Sequence, residues 1–173
     1  MRKIDRAKQT FEAARDGDTI MIAAGDYLPS NDDFFLIEDT VVSIIGETNA
    51  DGTPATILNG EDSDFAGIYI EGSDSDEHPI VIEHVHFRRF ASSGGGVALT
   101  NGNGYIRNCI FEGSYDSSTG LRVGNFQGTV EDCRIIDSTS SFLGGLSFVD
   151  WDGHPASEIT VTNCIIENNY GSF

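Results

Sequence analysis

The chain has 173 residues, with 28 Asp and Glu against 10 Lys and Arg, for a formal charge of −18 at pH 7. A surface so acidic repels nucleic acid, anionic membranes and, without a bridging cation, uronic-acid polymers. The length fits one domain over 1–173, no apolar run is long enough to insert into a membrane, and no secretory leader is read at the start.

In chain order, Met1–Arg15 is the one helical candidate. Ile4, Ala7, Phe11 and Ala14 recur at helical spacing and Gly17 ends the pattern. This segment holds five of the ten basic residues, Arg2, Lys3, Arg6, Lys8 and Arg15, leaving five basic and 26 acidic side chains for the rest. Charges interspersed along an amphipathic helix read as its solvated face rather than as a nucleic-acid arm. Two explanations of the remaining acidity stand: a host adapted to high salt, where repulsion is screened, and an acidic secreted protein.

From 16 to 66 short strands recur without a fixed period: Thr19–Ala23, Phe35–Ile37, Val41–Ile45 and Thr56–Leu58. Asn49–Pro54 (NADGTP) is turn chemistry.

From residue 67 the chain repeats itself. Gly67–Phe87, Gly96–Phe111, Gly120–Ile136 and Gly145–Ile166 align so that apolar positions fall into columns. Ile68, Val97, Leu121 and Leu146 form one column, and Ile70, Leu99, Val123 and Phe148 the next. Val85, Cys109, Cys133 and Cys164 form a third, at spacings of 24, 24 and 31 residues, followed by Phe87, Phe111, Ile135 and Ile166. A period in the twenties with strand-like alternation marks a solenoid, in which each unit stacks on its neighbours.

Each unit reads as three short strands. Between the second and third sits a polar residue: His84, Asn108, Asp132 or Asn163. Ile106, Cys109 and Phe111 do not share one parity, so the chain bends there, and Asn or Asp tolerates the left-handed conformation that such a bend needs. Gly- and Ser-rich connectors at Ala91–Gly95, Gly113–Thr119 and Asp137–Gly144 close each coil. The pattern predicts an all-β parallel β-helix with regular coils over 67–173.

Two coils carry extra residues in the same connector, Ser73–Pro79 (SDSDEHP) and Trp151–Glu158 (WDGHPASE). These insertions are three coils apart, about 14 Å at the interstrand spacing, and would flank a shallow trough. The next Gly-led strand would begin just beyond Phe173, so the last coil is expected to lie open, to self-associate or to continue as a longer solenoid. Cys109, Cys133 and Cys164 share one inward column whose Cβ vectors point alike, which predicts buried free thiols rather than disulfides or a zinc site.

The columns, the turn asparagines and the opening ARDGDTIMIAAGDY (Ala14–Tyr27) resemble right-handed parallel β-helix proteins of the pectin-lyase-like superfamily. In that family a Gly-Asp-Thr-Ile strand followed by Ala-Gly-x-Tyr starts the first coil, and a short amphipathic helix plugs its open end. The resemblance implies an extracellular or cell-surface protein with its substrate on the outward face of the first strand type. It does not choose among lyases, hydrolases, esterases, epimerases, tailspikes and adhesins, which share the fold.

Here that face reads Tyr69, Ala98, Arg122, Ser147 in one row and Glu71, Thr100, Gly124, Val149 in the next, with Gly72, Asn101, Asn125, Asp150 at the turn. Arg122 is the one base candidate on the face, and Asp150, in the turn row rather than in the rows of Arg122, is the acidic catalytic candidate. Asp150 and Asp152 are the candidate Ca²⁺ ligands, and Tyr69, Glu71, Asn101, Asn125, Trp151, Asp152 and His154 the candidate substrate contacts. Glu131 and Asp132 are adjacent and point apart, against a paired-carboxylate glycosidase. His84 and His86 are separated by the bend, against an HxH metal pair. Three functions follow: a carbohydrate-binding or polysaccharide-associated module, a structural or adhesive segment of a longer repeat protein, and a Ca²⁺-dependent polysaccharide lyase or epimerase.

Overall fold

The computed structural model describes residues 2–3, 13–29, 35–38, 40–63, 66–72, 78–91, 95–116, 120–140, 144–150 and 153–171. In chain order the strands are β1 (Arg2–Lys3), β2 (Thr19–Ile22), β3 (Gly25–Leu28), β4 (Phe35–Glu38), β5 (Ser43–Gly46), β6 (Thr56–Ser63), β7 (Ile68–Glu71), β8 (Ile80–Glu83) and β9 (Val85–Phe90). Then follow β10 (Val97–Arg107), β11 (Ile110–Glu112), β12 (Tyr115–Asp116), β13 (Leu121–Glu131) and β14 (Arg134–Ile136). β15 (Thr139–Ser140), β16 (Leu146–Val149), β17 (Glu158–Thr162), β18 (Ile165–Glu167) and β19 (Tyr170–Gly171) complete the chain.

Every ladder between these strands is parallel, so each strand pairs with its counterpart one coil away. One sheet runs β1-β3-β6-β9-β11-β14-β18 and a second runs β16-β13-β10-β8-β5-β2, with β4, β7 and β17 joined to it. The predicted columns are the observed register. Leu99 pairs with Ile70 on one side and Val123 on the other, and Val123 pairs with Phe148. Phe111 lies between Phe87 and Ile135. Inward residues of the inner coils are buried, and Phe87 stacks on Phe111 with ring centroids 5.1 Å apart.

The bends have the predicted conformation. His84, Asn108, Asp132 and Asn163 have φ of 57°, 53°, 52° and 57°. A second left-handed row, Arg89, Gly113, Asp137 and Asn168, turns each chain after its third strand. Asn168–Asn169 therefore belongs to the regular coil rather than to a loose connector. The Asn169 amide donates to Ile135 O at 2.7 Å, and its oxygen accepts from the Ser138 amide at 3.0 Å.

The regular coils β10–β12 and β13–β15 have three strands each, and β12, β15 and β19 form the third, short sheet. In β10 and β13 the first two strands run together, bent at Asn101 and Asn125 with φ of 57° and 48°. The capping helix expected over 1–15 falls largely on residues 4–12, which lie outside the described residues; Arg2–Lys3 form a strand paired with Tyr27–Leu28. No helix among the described residues is long and apolar enough to cross a membrane.

Gly104 and Gly128 explain how bent strands pack so closely. A Cβ on Gly104 would lie 1.8 Å from Ile80 O, and one on Gly128 would lie 2.0 Å from Gly104 O. Only hydrogen fits between those backbones. Phe126, buried, packs its ring against Gly128.

The three cysteines are free thiols. Each Sγ–H has two carbonyls in reach: Cys133 lies 3.2 Å from Glu131 O and 3.6 Å from Ile106 O, and Cys109 and Cys164 repeat the arrangement. Thiol contact with Cys109, together with burial, pushes the Cys133 thiol well above its ordinary range. These groups pack as small hydrophobes.

Candidate functional site

The outward row of the first strand type is in register as expected: Tyr69 pairs with Ala98, Ala98 with Arg122, and Arg122 with Ser147. The row extends one coil further back, because Leu36 pairs with Tyr69. Ala98 is buried between two large neighbours, Tyr69 and Arg122, both half-buried. The small side chain thus leaves a notch in this row between the Tyr69 and Arg122 positions.

The second row holds Glu38, Glu71, Thr100, Gly124 and Val149. The Tyr69 hydroxyl lies 3.4 Å from Glu71 Oε2. Beside it, Thr100 Oγ1 and Asn101 Oδ1 are buried atoms with no hydrogen-bond partner among the described residues. Asn101 reaches this place because the left-handed bend turns it out of the strand.

Further along the turn row the polar groups are engaged. Asp150 accepts from the Ser157 amide at 3.1 Å and from the Ser157 hydroxyl, which holds its carboxyl below the usual carboxylate range. Asn125 Nδ2 donates to Pro155 O at 3.1 Å, and the Phe126 amide donates to Ser157 Oγ at 3.2 Å. These bonds staple the second insertion to the strand bends beneath it. His154 is exposed in that loop; Trp151 and Asp152 lie outside the described residues, as does 73–77 of the first insertion.

Ca²⁺ takes about six to eight oxygen ligands. Asp150 commits one oxygen to Ser157, and no group of three or more His, Cys, Asp or Glu that could hold a metal occurs among the described residues.

Ionisable residues that sequence reasoning left apart come together on the other two faces. Glu83 bridges His84 Nε2 at 3.1 Å and Arg107 Nη2 at 3.0 Å, and Glu131 is the strand-register neighbour of Arg107 one coil on. On the third-strand face Arg88 Nη2 lies 3.2 Å from Asp26 Oδ2, and His86 Nε2 lies 2.7 Å from Glu112 Oε2. The two histidines thus face different carboxylates, as the bend between them requires. Burial lowers the His86 pKa against the pull of Glu112. The 24-residue period already places Glu112 beside Arg88, but nothing periodic leads to Asp26, which sits in the irregular early coils.

A stack of coils joined by parallel ladders defines a parallel β-helix. Residues 42–173 match the family model described as "Right handed beta helix region", and the chain belongs to that family. No curated protein and no solved structure matches the chain.

Proposed function

We propose that this chain is a carbohydrate-binding β-helix module, secreted or displayed at a cell surface, that holds a neutral glycan on the first-strand face without acting on it. One observation carries the reading: the unpartnered Thr100 Oγ1 and Asn101 Oδ1 beside the notch between Tyr69 and Arg122. Buried polar atoms in native proteins are nearly always hydrogen-bonded, so each exception calls for a partner. A sugar presents hydroxyls that both donate and accept, which suits these two groups together. Tyr69 adds an apolar ring face with a polar tip, and Arg122 a planar donor fork. The charge of −18 favours neutral glycans over uronic ones.

The test is calorimetric titration of neutral glycans, pectate and alginate, with Ca²⁺ and with chelator, followed by ultraviolet absorbance for unsaturated products. Binding of a neutral glycan, weakened in Tyr69→Ala and in Thr100→Val, with no product formed, is the expected result. Thr100→Val removes an unsatisfied hydroxyl, so it should weaken binding without weakening the fold. A Ca²⁺-dependent unsaturated product lost in Arg122→Ala would instead assign a lyase. Silence toward every glycan would leave a structural or adhesive segment.

A further inference from the structure

Across β5, β8 and the second halves of β10 and β13, the residues Ile44, Ile82, Ile106 and Val130 are buried. By strand alternation their neighbours face outward, away from the coil. Two outward rows result, in register from coil to coil. One runs through Ser43, Val81, Tyr105 and Thr129, the other through Ile45, Glu83, Arg107 and Glu131. This second-strand face is separate from the notched first-strand face.

Tyr105 is 45% exposed, with Val81 half-buried at its side, and Met21, next to Ile45 in the register, is 64% exposed. In a chain of −18 these two rows hold three charges, and Glu83 and Glu131 stand on either side of Arg107. Glu83 Oε2 lies 3.0 Å from Arg107 Nη2, while Arg107 Nε has no hydrogen-bond partner among the described residues. A guanidinium offers five donors, so Arg107 has capacity left for a second carboxylate.

We infer that this face docks a second copy of the chain, sheet on sheet, about a two-fold axis that runs parallel to the strands midway between β8 and β10. That rotation sets Glu83 of each copy over Arg107 of the other, and Val81 of each over Tyr105 of the other. Four charges then alternate in sign at the centre, and two apolar pairs close beside them. A face matched to itself in this way closes at two copies. Sheets packed face to face cross at about 30°, so contact is tightest at this centre and opens toward the outer strands, where Glu131 stays in water. Six strands line the face, β2, β5, β8, β10, β13 and β17. At about 4.8 Å per strand and about four residues of rise they present an area on the order of 400 Å². That is about half the roughly 800 Å² each partner gives to a tight complex, so the dimer is weak and concentration-dependent. It leaves the first-strand face open and is independent of the glycan reading.

Sedimentation velocity over a wide concentration range tests it, in enough KCl to screen the like net charge of the copies. Wild type should show a monomer–dimer equilibrium. Arg107→Glu and Glu83→Arg should each raise the dissociation constant by at least about ten-fold, because each sets like charges over one another across the axis. Mixed in equal amounts, the two variants should regain a dimer, since each brings the charge that the other has lost. Arg134→Glu makes the same charge change on the third-strand face and should leave the equilibrium as it is. Tyr105→Asp, an outward substitution, should weaken the dimer without touching the ion pairs. Circular dichroism establishes which variants are folded; should a charge reversal fail to fold, Tyr105→Asp measured against Arg134→Glu decides. A monomer at every concentration, assemblies larger than two, a dimer indifferent to Tyr105→Asp, or a mixture of folded charge-reversed variants that stays monomeric would each overturn the inference.

Discussion

His86 Nε2 sits 2.7 Å from Glu112 Oε2 on the neighbouring coil, yet the imidazole pKa lies below its ordinary 6.5 because burial outweighs the carboxylate. Unfolded, His86 takes up a proton as pH falls through that value; folded, it resists. The unfolded state then binds more protons, so stability is complete above pH 6.5 and declines below it. Urea midpoints of wild type and His86→Gln across this window check the point. The variant should lose part of the slope, and equal slopes would reject the assignment.

Asn108 occupies its bend with φ of 53°. A left-handed residue with a Cβ costs about 1–2 kcal/mol where no polar side chain assists it. Asn108→Ala should therefore lower stability by about 1 kcal/mol, while Asn108→Gly should be close to neutral. Denaturant midpoints at unchanged m-value give the comparison.

Phe111 stacks on Phe87 in a fully buried column. Phe111→Ala should cost about 3–5 kcal/mol through lost burial and a residual cavity. Phe111→Leu should cost clearly less. A cost below about 1 kcal/mol for the alanine variant would mean that the column collapses to fill the gap.

Asp150 takes two hydrogen bonds from Ser157 and so closes the second insertion onto the strand beneath. In Asp150→Ala the loop over 151–157 should become more sensitive to proteolysis, while the global melting temperature stays close to that of wild type. Limited proteolysis followed by mass mapping reads the site of cutting. A drop in melting temperature without loop cleavage would place the role of Asp150 in the core instead.

Cys109 and Cys133 are buried, and Cys164 is partly buried. A thiol reagent should label Cys164 slowly in the native protein, the other two only after unfolding, and all three in denaturant. Burial raises the Cys164 thiol pKa, so its labelling should accelerate with rising pH.

The coils from 67 onward were legible because each inward position repeats at the spacing of one coil, and the left-handed bends declare themselves by Asn and Asp at Asn108, Asp132 and Asn163. Arg89 and Asp137 were harder, since an arginine at φ 58° carries no turn signature and the row shows itself only when the coils are stacked. The row order of the first-strand face was readable from the same repeat. What was not readable was which of its polar atoms are satisfied. Ser157 reaching Asp150, and Thr100 and Asn101 being left unpartnered, depend on how an irregular loop folds back, and no period governs that. The two strands of β1–β3 pairing were hidden for a related reason: Arg2–Lys3 sits in a segment whose helical spacing is a local signal, while its partner Tyr27–Leu28 lies across an irregular coil.

Between β10 and β13 the register holds from Val97 and Leu121 through to Arg107 and Glu131 with no slip, bend included. One winding and the next are thus interchangeable parts, and residues 97–120 are a self-contained length of thread. Copying that segment in the gene would lengthen the protein by about 4.8 Å without altering any existing contact except at the new seam. Gly104 travels with the copied segment, and at its place a Cβ would run into the backbone of the preceding coil at Ile80.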